Sequence, residues 1–194
     1  TKLSVTSVSN HTWNSMRTKV TYLLGRGHRQ IGYIRNSQPT SICTQCYLGF
    51  LNAMEQYHLK VEEKYIYDVY PSIEGACSCM KGLLDKGIEL PSALVSNSDI
   101  IAIGAMKAFR EYGIRVPEQV SIIGADNIMS GMVCVPQLTT CEVYAKDIGK
   151  WAVKLLCDRI ENPASPVIRL RIDTTIVERD SVCDYADHVP YQRG

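Results

Sequence analysis

Residues 96–127, SNSDIIAIGAMKAFREYGIRVPEQVSIIGADN, carry a strand end, a helix, a tight turn, a second strand and an acid in one uninterrupted run. Ser98 or Asp99 supplies an oxygen for the free N–H groups of an opening turn. Ile100, Ile103, Ala105, Met106 and Phe109 follow at helical spacing, and Gly113 ends the helix because glycine tolerates the left-handed backbone found there. Val116-Pro117 sets an extended entry, and Val120 to Ile123, bounded by Gly124, reads as a short buried parallel strand. Asp126 comes immediately after it. Ligands of open parallel sheets bind in the crevice beyond the carboxyl ends of the strands, so this acid is a site candidate. An aspartate capping the next turn fits the same residues.

Strand and helix signals alternate outward from this run, the pattern of a doubly wound parallel α/β sheet. Trp13, Met16, Val20, Leu23 and Leu24 form a helical stripe ended by Gly25 and Gly27, and Ile31 to Ile34 is a strand. Tyr47, Leu48, Leu51, Met54 and Tyr57 mark a second helix and Tyr65 to Val69 a second strand. Ile73, Cys77, Met80, Leu83 and Leu84 give a third helix, stopped by Gly87 and followed by the strand Ala93 to Ser96. Beyond Asp126 the rhythm changes: 128–142 is loop-like, a long helix covers about 146–161, and extended pieces span 167–172 and 174–177. Residues 183–194 read as a frayed polar tail.

The chain has 194 residues, enough for one domain or for one and part of another. No segment reaches the roughly 18 consecutive apolar residues of a membrane span. The opening TKLSVTSVSN alternates apolar and polar residues and lacks the apolar block of a secretory leader; a first residue other than Met points to a fragment or processed form. Eight cysteines in an ordinary globular composition suggest a reducing compartment, the cytoplasm. Cys43-x-x-Cys46 has zinc-ligand spacing, but Cys77 and Cys79 fall in a predicted helix, where residues two apart point about 200° from each other. They cannot share one metal, so small buried thiols are expected and no metal or cofactor is assigned. The net charge is +1 with both signs interspersed, and no cluster of Lys and Arg suits a nucleic-acid surface.

Taken together, GHRQIGYI (27–34), YLGFLNAM (47–54), SDIIAIGAMKAFREYGIRVPEQVSIIGADN (98–127), PQLTT (136–140) and ERDS (178–181) resemble the effector-binding region of the LacI/GalR family of bacterial transcription regulators. The resemblance spans most of the chain in the family's order. It implies a periplasmic-binding-protein-like core: two α/β lobes joined by crossovers, with a small sugar-like effector between them. In those terms residues 1–10 end the first lobe and 11–142 make the second. Residues 143–163 are a helix that packs on the first lobe, 164–182 return to the second, and 183–194 are the tail. Most of the first lobe and the DNA-binding headpiece are missing from the sequence, so operator DNA would be reached only through that headpiece. The stripe Ile148, Trp151, Leu155 and Ile160 then lacks its usual cover and is expected to pack on its own lobe or on another copy.

The resemblance also assigns roles. Asp126 corresponds to an acid that accepts hydrogen bonds from effector hydroxyls, a task suited to a carboxylate with two acceptor oxygens. Tyr70 aligns with an aromatic that stacks on the ligand, or it simply closes a strand end. Ser98 lies where a polar side chain faces the cleft, or it caps its helix. Cys46 stands before Tyr47-Leu48-Gly49-Phe50, where the family has an arginine, and a thiol cannot form that fork of donors. Ser9-Asn10 in place of Asp-Asn, and Val143-Tyr144 in place of Gln-Pro, further unsettle the usual sugar. The family dimerises through this region, which implies a homodimer with Ile103 and Met106 as interface residues instead of core.

The leading reading is therefore a non-enzymatic effector-binding region of a repressor, with weak or no effector binding by this chain alone. A solute receptor of the same architecture and a thiol redox enzyme using Cys43 and Cys46 are the alternatives. Four histidines, His11, His28, His58 and His188, have no clear acid or serine partner for hydrolysis, and His28 is expected to serve the turn into its strand.

Overall fold

The computed structural model describes residues 5–191. The alternating pattern becomes β1 (Ser7–Asn10), α1 (Thr12–Gly25), β2 (Ile31–Asn36), α2 (Ser41–Gln56), β3 (Ile66–Val69), α3 (Ile73–Asp85), β4 (Ala93–Ser96), α4 (Asp99–Glu111) and β5 (Ser121–Ile123). Then follow α5 (Met129–Val133), β6 (Thr140–Glu142), α6 (Ala145–Glu161), β7 (Arg169–Ile172) and β8 (Thr175–Val177). Strands β3-β2-β4-β5 form a four-stranded parallel sheet, in register from Tyr33 to Val95 to Ile123.

Period-two alternation divides the core between the two faces of this sheet. Ile34, Leu94 and Ile122 face α3 and α4, packing with Met80 and Phe109. Tyr33, Val95 and Ile123 face α1 and α2, packing with Met16, Leu23 and Phe50. The central strand β4, buried at every position, is mostly apolar, as a covered parallel sheet requires, whereas the edge strand β3 exposes Asp68.

Helix α2 begins earlier than its apolar stripe indicates and buries a smaller face. Thr40 caps it by accepting from the Cys43 N–H, and the buried positions are Cys43, Cys46, Gly49, Phe50, Ala53 and Met54, while Leu48 and Tyr57 lie exposed. The reason is close approach: a Cβ on Gly49 would press on the Trp13 carbonyl of α1. Only a glycine lets the two helices come this near.

The loop-like stretch 128–142 contains the single-turn helix α5 and strand β6, which pairs antiparallel with β8. The stretch 167–177 divides. Strand β8 joins the main body through β6, but β7 pairs in parallel with β1, making a separate two-stranded ribbon. Helix α6 lies against β1 with no buried residue, so packing of its stripe onto the main sheet is not observed.

Residues 183–191, read from composition as a frayed tail, are docked, and 192–194 lie outside the described residues. Fully buried His28 holds the Cys183 carbonyl through Nε2 at 3.0 Å and Ser92 Oγ through Nδ1 at 3.0 Å. The Tyr185 and Val189 N–H groups donate to the Arg26 and Glu118 carbonyls, at 2.8 and 2.7 Å. A polar stretch thus docks through backbone bonds that composition does not reveal. Burial pushes the His28 imidazole below its usual range.

Candidate functional site

Four strand ends converge above the parallel sheet, and the turns leaving β4 and β5 carry the polar groups. After β4, Asn97 is a hub: its Oδ1 accepts from Tyr33 Oη at 2.7 Å and from the Asn36 N–H at 2.9 Å. The end of β2 is thereby tied to the turn after β4. Beneath them Lys19 of α1, 1 % exposed, donates from Nζ to the Ser96 carbonyl at 2.5 Å.

Neither Ser98 nor Asp99 caps α4 with its side chain. Ser98 occupies the N-cap position without a side-chain cap bond, and its carbonyl accepts from Ser96 Oγ at 2.9 Å. Asp99 is fully buried and turns the other way, accepting from Thr140 Oγ1 at 2.6 Å and from the Ile128 N–H at 2.9 Å. A Cβ on Gly124 would collide with the Asp99 carboxylate, so the glycine is what admits this acid against the end of β5. Asp99 therefore knits β5, β6 and the α5 turn together.

Asp126 stands on that knot. Its N–H donates to the Cys141 carbonyl at 2.9 Å, and its φ is 105°, followed by 52° at Asn127. Two successive left-handed residues other than glycine are uncommon, and such backbone gathers at binding sites. Asn127 is fixed from both ends, donating to Glu142 and accepting from Arg179. Asp126 itself is exposed, yet its carboxyl is crowded by protein: burial first, and the neighbouring Asp99 charge second, push it up to about 6, against the opposing pull of Lys19.

The other sequence-chosen residues are spread more widely. Cys46 is 5 % exposed under the same crevice, its thiol raised by burial and hydrogen-bonded to Asn97. Tyr70, 56 % exposed, follows β3 at the opposite edge of the sheet from β5. Three strand spacings, about 14 Å, separate those edges, so Tyr70 and Asp126 bracket the mouth of the sheet and do not meet at one point. Met106 is a core residue at 6 % exposure and Ile103 is half-buried; both line a surface depression with Val133 and Val135. Sequence reasoning missed Lys19, Asn97 and the pair Asn127–Arg179. Lys19 alone left a signal, a lysine among the apolar stripe positions Met16, Val20 and Leu23.

A parallel sheet with helices on both faces and a polar rim at its carboxyl ends defines a ligand-binding α/β module of the periplasmic-binding-protein kind. The chain belongs to that family: the model of the periplasmic binding protein-like domain matches residues 20–182. It is similar to the transcriptional repressor PurR of Pectobacterium carotovorum, 33 % identical over 172 residues, covering 89 % of this chain and 50 % of the repressor. PurR of Escherichia coli O1:K1 is 34 % identical over 163 residues, covering 84 % and 48 %. Among solved structures, a sugar-binding LacI-family regulator of Escherichia coli, complexed with phosphate, superposes with a TM-score of 0.81 at 28 % identity, covering 92 % of this chain and 63 % of that one. The chain spans about half the length of the curated relatives it matches. The resemblance to the LacI/GalR effector-binding region holds.

Proposed function

We propose that this chain is the effector-binding and dimerisation region of a LacI-type transcription regulator, with Asp126 as the central acceptor for a hydroxyl-bearing effector. The observation that carries the reading is Asp126 itself: a solvent-reaching carboxylate on left-handed backbone at the carboxyl end of β5, braced by the buried Asp99 and the Asn127–Arg179 pair. Such a carboxylate accepts strong, charge-assisted bonds from paired hydroxyls. A related regulator of Escherichia coli is described as sugar-binding, in keeping with that chemistry. Ser98 and Asn97 supply the neighbouring polar rim. Cys46, buried and without a fork of donors, contributes shape in place of the hydrogen bonds an arginine would offer.

Binding alone does not switch a regulator; the effector must prefer one of two lobe arrangements, and a dimer then passes that preference to the DNA-binding part. The exposed apolar residues Met129, Val133 and Val135 beside Ile103 support a homodimer through α4 and α5.

The test is an amide-resolved NMR titration with a panel of sugars and nucleosides at millimolar concentration. One chemical class should shift the Asp126 and Ser98 amides in a saturable way, and Asp126→Ala should weaken it by roughly tenfold or more, about 1.4 kcal/mol. Saturable shifts elsewhere only, or wild-type affinity in Asp126→Ala, would sink the reading.

A further inference from the structure

The effector reading leaves Cys43-x-x-Cys46 without a role. Both residues belong to the first two turns of α2, where positions three apart share a face with Cα atoms about 5 Å apart. That separation falls inside the range a disulfide spans. Both side chains lie on the buried face of that helix, at 8 % and 5 % exposure.

Their surroundings differ. Thr40 Oγ1 donates to Cys43 Sγ at 3.0 Å, and the same oxygen accepts from the Cys43 N–H at 3.2 Å. Cys43 also lines an open cavity of about 400 Å3 with Arg35, Asn36, Thr40, Tyr47 and Asp68. A place in a helix's first turn favours the nucleophilic form of a thiol, the Thr40 hydroxyl donates to its sulfur, and the cavity brings a small oxidant to a residue that is otherwise 8 % exposed. Cys46 lies deeper, and burial keeps it a thiol. The remaining pair on one helix, Cys77 and Cys79 of α3, is two residues apart and points in divergent directions.

We propose that Cys43 and Cys46 are a peroxide-oxidisable dithiol, Cys43 attacking and Cys46 resolving. The Cys43 sulfur attacks one oxygen of hydrogen peroxide; an S–O bond forms as the O–O bond breaks, and the departing hydroxide leaves as water with the thiol's proton. The Cys46 sulfur then displaces the sulfenic oxygen, which takes the Cys46 proton and leaves as a second water. Two thiols and one peroxide give one disulfide and two waters. The consequence for the crevice rests on the effector-binding reading above: a disulfide withdraws Cys46 from the Asn97 side chain and frees that amide toward the Asp126 rim.

Trypsin tests this directly, since the peptide 36–60 contains Cys43 and Cys46 and no other cysteine, and 65–81 contains only Cys77 and Cys79. The folded chain is treated with hydrogen peroxide, its free thiols alkylated, and the digest weighed. Peptide 36–60 should appear unalkylated and two hydrogens lighter, while 65–81 stays reduced and alkylated. Cys46→Ser should stop at a sulfenic acid on Cys43, trapped by dimedone, and Cys43→Ser should leave Cys46 unoxidised. A fully alkylated 36–60 peptide, a lighter one formed only in urea, or no dimedone adduct in Cys46→Ser would overturn the proposal. No effector enters the measurement, so its outcome is separate from that of the effector reading.

Discussion

Asp126 sits on backbone that side chains rarely adopt and carries a carboxyl pushed up to about 6. A raised acid in the folded state makes ionisation costly to the fold, so its contribution favours folding below the unfolded value of 3.8 and is lost as pH rises through about 6. Asp126→Asn should therefore raise the melting temperature at pH 8 and leave it nearly unchanged at pH 4. A uniform shift at both values would contradict the assignment. Effector affinity should run the opposite way, falling as pH drops through about 6, because the carboxylate is the better acceptor. The Lys19 ammonium opposes the rise. Lys19→Met should move the Asp126 midpoint upward in a carbon-detected NMR titration. It should also cost about 1–3 kcal/mol in urea unfolding, since the Ser96 carbonyl loses its buried donor. An unmoved midpoint would mean that the ammonium does not govern this acid.

Elements show why some of the fold is legible in the sequence and some is not. Ala93–Ser96 coincides with its predicted strand because a short apolar run between Pro91 and a polar turn has one reading. Helix α2 was harder, since its buried face is chosen by closeness to α1 and so favours Cys43, Gly49 and Ala53 over the larger Leu48 and Tyr57. Gly49→Ala should cost about 1–3 kcal/mol by overpacking against the Trp13 carbonyl. Gly82→Ala in α3, with nothing near its absent Cβ, should gain about 0.5–1 kcal/mol. Equal effects at the two positions would show that helix propensity and not contact decides them. Strand β6 and helix α5 escaped detection because each is brief and held by distant residues: β6 by β8, and the α5 turn by Asp99. The rim divides in the same manner. The place of Asp126 follows from the strand before it, whereas Asn97 matters only once β2 and β4 lie side by side. In the loop that follows α5, Val135→Glu should weaken self-association by roughly tenfold or more in sedimentation, and an unchanged association constant would remove that surface from the dimer.

At the scale of the whole molecule the chain has two unequal parts. The main sheet is covered on both faces, while the ribbon β1–β7 and α6 bury little of themselves: Trp151, Leu156 and Ile160 are exposed, and Val5, Val8, Leu155 and Leu156 line a cavity of about 410 Å3. A helix of 17 residues with none buried lacks the packing of an amphipathic face that supplies most helical stability in proteins. Amides of α6 should therefore exchange far faster than those of α4, whose buried residues include Ile101, Ala105 and Phe109. Replacing Leu156 and Ile160 together with lysine should then change global stability by no more than about 0.5 kcal/mol while raising solubility. Slow exchange in α6, or a loss of several kcal/mol in that double variant, would mean the apolar stripe is covered in solution after all.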